Sequence, residues 1–338
     1  MTHSFLVHIG LHKTGTTAIQ SDLFACRKTL FANNIHVPIL KSPFQHGVAR
    51  PWITVPDIYY PINEESNLFY KLCNPPPANT VYSIISSEVL CSQDPGPVRF
   101  NELEQLLRSH SSNTIFYLTL RDHIELLSSI YMEVHVNSGR EEIFNKPTFQ
   151  KYVDSILING HAYGVPFVFS EYISSLRDQL KYSPLHVTDF ASLVKSSDNL
   201  TWSFLQWTDA RKQLVGQNAS KLITSKSKMT NANISISQYL FASLLVDRNV
   251  VESLGQGLAH ASKFATQIQR LLDGRIPTLL SSQDFLRIEP KIISDLLSLE
   301  PSDLGLRLGL SRVTNFQNYY IDRNECLRLF RELMVDPQ

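Results

Sequence analysis

Two groups of residues in this chain have the types and spacing to hold anions. Lys13, Thr14, Gly15, Thr16 and Thr17 lie together in Gly10-Leu-His-Lys-Thr-Gly15-Thr-Thr, and Arg121 is followed eight residues later by Ser129. In the first group the chemistry lies in the backbone. The N–H groups of a first helical turn lack intrahelical partners, and the helix dipole favours negative charge there. In the second group it lies in the side chains. An arginine can grip a phosphate through two parallel charge-assisted bonds, and a serine hydroxyl adds a third.

The first group needs a strand before it and a helix after it. Phe5 to Ile9 reads as a short buried strand, within which His8 reads as a core histidine. From Thr17 onward, Ile19, Leu23, Phe24, Leu30 and Phe31 recur at helical spacing. The glycine spacing is that of the P-loop, G-x-x-x-x-G-K-[ST]. The lysine is displaced: it lies inside the loop at position 13, and Thr16 follows the second glycine. A lysine there reaches a different part of a bound anion from one on the first helical turn.

Further on, strands are predicted at 35–40 ("IHVPIL"), 80–88 ("TVYSIISSE") and 113–120 ("NTIFYLTL"), with helices at "FNELEQLLRSH" and 122–136. Strand and helix alternating in this order predict an α/β fold, a P-loop-like parallel sheet flanked by helices. From about 148 the pattern becomes largely helical, with one further strand at 185–190 ("LHVTDF"). In one of those helices Trp202, Phe204, Leu205 and Trp207 read as a core stripe. The expected organisation is a single domain over 1–338, with 1–145 and about 184–190 forming the nucleotide-binding core. Arg121 then lies at the carboxyl end of a buried strand, where open α/β sheets bind ligands. Ser129 is about two helical turns on.

Composition narrows the partners. The 31 Lys plus Arg balance the 31 Asp plus Glu, which argues against nucleic acid and against a highly anionic polysaccharide. The four cysteines form no CxxC pair, so neither a disulfide framework nor a zinc site is expected. A first strand beginning at about residue 4 leaves no room for a signal peptide, and no apolar stretch of about 18 residues spans a membrane. The expectation is a cytoplasmic protein with no membrane partner and no metal.

The segment "HIGLHKTGTTAIQ" resembles the 5′-phosphosulfate-binding loop of sulfotransferases that use 3′-phosphoadenosine 5′-phosphosulfate (PAPS). Arg121 and Ser129 resemble their 3′-phosphate site in its R-x7-S spacing. The HKTGTT form followed by Ile-Gln is most similar to bacterial members, and "SKSKMTNANISISQYLFASLL" (225–245) more loosely resembles a later segment. The resemblance implies transfer of a sulfuryl group from PAPS to a hydroxyl or amine, releasing 3′-phosphoadenosine 5′-phosphate (PAP), without magnesium.

In such a transfer, charge grows on the leaving phosphate oxygen. Lys13, inside the loop, would stabilise it, while the N–H groups of residues 14 to 17 and the hydroxyls of Thr16 and Thr17 hold the 5′-phosphate. The acceptor also needs a base. Glu88, at the end of the third strand, is the first candidate, and His46, in the irregular "PFQHGVAR" segment, is the second. Neutral charge favours a small-molecule acceptor, such as a specialised metabolite, in a pocket drawn from residues 40–75 and the helical half.

Two alternatives stand beside this reading. A P-loop kinase using ATP and magnesium wants a lysine directly after Gly15 and an acidic ligand at a strand end. Thr16 holds the first position, and Asp122 suits a helix start. A non-catalytic PAP-binding protein would have no use for Lys13.

Overall fold

The computed structural model describes residues 3–11, 14–38, 76–91, 93, 98–111, 113–132, 148–162, 164–195, 199–214, 275–300 and 320–335. These residues fall into two compact units. The first takes its residues from Met1–Arg121, Tyr163–Thr230 and Leu299–Gly309, and the second from Asp122–Ala162, Asn231–Ser298 and Leu310–Gln338.

The first unit is built on five parallel strands: β1 (Ser4–Gly10), β2 (Ile35–His36), β3 (Tyr82–Ser87), β4 (Asn113–Leu120) and β5 (Leu185–Asp189). Their order across the sheet is β2-β3-β1-β4-β5. Every residue of β1 is buried, as is every residue of β4 after Asn113. That accounts for their nearly continuous apolar sequences, since a parallel strand is covered on both faces. On one face Leu6, Ile84, Ile115 and Tyr117 pack with Ile19 and Leu23 of α1 (Thr16–Ala25) and Leu30 of α2 (Arg27–Ala32). Phe204 and Leu205 complete that cluster, with Trp202 and Trp207 partly buried against it. On the opposite face, Phe116 meets Phe100 of α3 (Phe100–His110) edge to face at 6.1 Å.

The second unit carries α4 (His123–Tyr131), α5 (Phe149–Asn159), α9 (Ser282–Ser298), α10 (Arg323–Val335) and a two-strand parallel pair, Ile276–Pro277 with Tyr320–Ile321. Between α5 and α9 in chain order, the described residues of the first unit form α6 (Phe169–Gln179), α7 (Phe190–Lys195) and α8 (Leu200–Trp207). In the second unit, His123 Nε2 lies 2.9 Å from Asp295 Oδ2, tying α4 to α9. Lys291 donates to the Leu157 carbonyl at 3.0 Å, tying α9 to α5.

The chain is therefore α/β, a central parallel sheet flanked by helices, with helices predominating beyond residue 148 among the described residues. Two predicted elements are shorter than the sequence pattern implies. The strand at 35–40 is reduced to Ile35–His36 among the described residues. The first helix divides at Cys26, where Arg27 takes the Phe24 carbonyl at 2.7 Å and lies over the Phe24 ring. The buried stripe continues through Leu30, and Phe31 is left 49% exposed.

Candidate functional site

Strand order sets the place of the site. From β1 the chain turns through α1 to β2 on one side, whereas β4 has β5 on its other side. Neighbouring strands whose continuations diverge open a crevice outside their carboxyl ends. Gly10 pairs with Thr119, and the Leu11 N–H donates to the Thr119 carbonyl at 3.3 Å. The loop after β1 and Arg121, two residues past Thr119, thus leave the sheet side by side.

Both glycines of the loop are sterically required. A Cβ on Gly10 would lie 2.3 Å from Thr16 Oγ1. Gly15 is the N-cap of α1 at φ 75°, and a Cβ there would lie 2.2 Å from Leu200 Cδ2 and 3.1 Å from Phe190 Cε2. Only glycine adopts that backbone without penalty. No side chain caps α1, and its first turn holds no acidic residue. A helix start left in this state is suited to an external anion.

The threonines divide their work. Thr14 is fully buried; its hydroxyl donates to the Leu11 carbonyl at 2.6 Å and its N–H to the same oxygen at 3.2 Å. Thr16 is 2% exposed, with Oγ1 3.5 Å from the Leu11 carbonyl and 3.4 Å from Thr14 Oγ1. These two hydroxyls brace the loop from within. Thr17 is half-buried at the helix start.

Under the loop, His8 links the three central strands. Its Nδ1 lies 2.9 Å from Ser86 Oγ on β3, and its Nε2 lies 3.1 Å from Thr119 Oγ1 on β4. Burial lowers its pKa to about 3, so the ring is neutral and acts as a bracket. Gln20 of α1 donates to the Ser86 carbonyl at 3.1 Å. Two side chains of the β1–loop–α1 unit thus converge on Ser86.

Glu88 leaves β3 one residue beyond the Ile9–Ser87 pair, close to the level of Gly10. Its carbonyl accepts from the Cys91 N–H at 3.2 Å and the Cys91 thiol at 3.0 Å, fixing the turn, while the residue itself is half-buried. Arg121 is half-buried, with its guanidinium carbon 5.6 Å from the centre of the Phe190 ring. Asp22, buried on α1, accepts from the Thr201 hydroxyl at 2.9 Å. Burial raises its pKa, against the opposing effect of hydrogen bonds from Thr201 and Asn199.

The first unit therefore brings Thr14 to Thr17, Glu88 and Arg121 to one edge of its sheet. Ser129, half-buried on α4, belongs to the second unit. Lys13 and His46 lie outside the described residues, as do residues 40–75 and 225–245. Sequence reasoning missed Phe190 and Leu200, which flank Gly15; the run "LHVTDF" placed Phe190 in a strand, whereas it opens α7.

Asp122 is the first acidic residue after β4. Its Oδ1 accepts from the N–H groups of Ile124 at 3.0 Å and Glu125 at 3.2 Å, and from the Tyr320 hydroxyl. At the end of β5, Asp189 likewise accepts from the Ser192 N–H at 2.9 Å. Asp122 is thus the N-cap of α4, and Asp189 accepts across the first turn of α7.

No protein-family model matches the chain, and no curated protein matches it. Among solved structures, a sulfotransferase from Alicyclobacillus acidocaldarius matches over 61% of this chain and 80% of that one, at 14% identity and a TM-score of 0.37. At that score the likeness carries no inference about activity. No helix among the described residues is long and apolar enough to cross a membrane.

Proposed function

We propose that the protein is a PAPS-dependent sulfotransferase that moves a sulfuryl group to a hydroxyl or amine of a small-molecule acceptor, such as a specialised metabolite, and releases PAP. One observation carries the reading: the uncapped start of α1 and Arg121 emerge from neighbouring parallel strands whose onward connections run to opposite sides of the sheet. A nucleotide with separated 5′ and 3′ anionic groups matches such a pair. In this reading the N–H groups of Gly15, Thr16 and Thr17, with the Thr17 hydroxyl, meet the 5′-phosphate. Arg121 meets the 3′-phosphate, and Ser129 joins it on the strength of the R-x7-S spacing alone.

Lys13 is assigned to the bridging oxygen, where leaving-group charge develops. Glu88, anchored through its backbone and half-buried at the same sheet edge, is assigned as the base; His46 is the alternative. PAPS is a co-substrate here, and no metal is invoked. The whole chain is taken as one working unit in a cytoplasmic setting.

The kinase alternative loses ground on Asp122 and Asp189, whose carboxylates accept from first-turn N–H groups instead of lying open for magnesium. The test is PAP release from PAPS across a panel of phenols, alcohols and amines. Wild type should turn over at least one acceptor class, and Lys13→Ala should lose about 100-fold or more in kcat. Acceptor-dependent turnover unchanged in Lys13→Ala would remove the proposed mechanism.

A further inference from the structure

Phe190 touches both halves of the candidate nucleotide site. Leu120 pairs with Asp189 across β4 and β5, so Arg121 and Phe190 leave two neighbouring parallel strands at the same level. The guanidinium carbon of Arg121 lies 5.6 Å from the centre of the Phe190 ring. The far edge of that ring approaches Gly15, where a Cβ would meet Phe190 Cε2 at 3.1 Å. Asp189 is 4% exposed and accepts from the Ser192 N–H, which fixes the first turn of α7 and the direction in which Phe190 leaves it.

We infer that Phe190 is a positioning residue for nucleotide selection: its ring face holds the Arg121 guanidinium oriented toward a 3′-phosphate. The physical basis is twofold. A cation within about 6 Å of an aromatic ring centre is attracted to its negative face. A flexible arginine held in one arrangement loses less entropy when it grips an anion. Attraction to a ring face uses none of an arginine's N–H donors, so it is compatible with a bond from the guanidinium to phosphate. Phe190 would therefore raise the contribution of the 3′-phosphate without contacting the 5′-phosphate. The inference rests on the proposed use of PAP and PAPS.

The experiment compares PAP with adenosine 5′-phosphate, which lacks only the 3′-phosphate, by calorimetric titration of the full chain. The ratio of their affinities isolates the 3′-phosphate. Phe190→Leu keeps an apolar side chain against Gly15 and removes the ring face. It should reduce the PAP preference about three- to thirty-fold, with adenosine 5′-phosphate weakened less than PAP. Phe190→Tyr should restore the preference. A fluorinated phenylalanine at position 190, which drains the ring face at nearly constant volume, should give an intermediate ratio even where the leucine variant folds poorly.

Equal weakening of both ligands in Phe190→Leu would overturn the inference and leave the ring a packing role under the loop. An unchanged ratio would also overturn it. If wild type showed no preference for PAP, the proposed function would fall first and this inference with it.

Discussion

His8 Nε2 lies 3.1 Å from the Thr119 hydroxyl, two residues before Arg121, while its other ring nitrogen holds Ser86, two residues before Glu88. One buried, neutral imidazole thus ties together the strands that present the candidate loop, base and phosphate ligand. Its removal should be felt in stability and in the site alike. His8→Ala leaves the buried Ser86 and Thr119 hydroxyls without their bridge and opens a cavity, at a cost of about 2–4 kcal/mol in urea denaturation. The same contact has a pH signature. Folding lowers the pKa of His8 from 6.5 to about 3 and that of His3 from 6.5 to about 4, both chiefly by burial, and burial also lowers His36. Below pH 6.5 the unfolded chain binds more protons, so stability is complete above that value and falls as the pH drops. His8→Gln should flatten the dependence between pH 5.5 and 4.5 by about one proton, about 1.4 kcal/mol per pH unit. Parallel curves for wild type and variant would show that His8 is not held neutral.

Gly15 combines a left-handed backbone with a close approach, and the two requirements can be separated. Gly15→Ala should cost about 1–3 kcal/mol and weaken anion binding at the start of α1. Leu200→Ala removes the nearest atom, Cδ2, which would lie 2.2 Å from the new methyl. In a double-mutant cycle, Gly15→Ala should therefore cost less in the Leu200→Ala background, with the residual cost reporting the φ of 75°. Equal cost in both backgrounds would mean that Leu200 moves aside freely.

Asp122 distinguishes a helix cap from a metal ligand. As the cap of α4 it should tolerate Asp122→Asn almost without loss, since asparagine caps as well as aspartate, whereas Asp122→Ala should cost about 1 kcal/mol. Thermal unfolding of the three proteins measures this. Loss of magnesium–nucleotide binding in Asp122→Asn, with stability unchanged, would instead point to a kinase.

Much of the sheet and part of the site were legible in the sequence, for identifiable reasons. The run at 113–120 is a strand from Asn113 to Leu120, and "FNELEQLLRSH" is a helix from Phe100 to His110. In the first case burial on both faces imposes a largely apolar run, and in the second burial of one face imposes a helical period. The loop was legible because its glycines are dictated by local geometry. Phe190, Leu200 and the two hydrogen bonds of the His8 ring were not. Those contacts join residues far apart in the chain, such as His8 and Thr119, |i−j| = 111, and no local pattern encodes them. The break in the first helix was missed where Arg27 takes a main-chain carbonyl, a competition that apolar periodicity does not register.

The most direct test of the account is calorimetric titration with PAP, beside ATP plus magnesium, on wild type and Arg121→Ala. The account predicts tight PAP binding, weak ATP binding, and a loss of PAP affinity in Arg121→Ala of about 2–3 kcal/mol, the scale of a charge-assisted pair. Tighter binding of ATP with magnesium, or PAP affinity indifferent to Arg121, would contradict it.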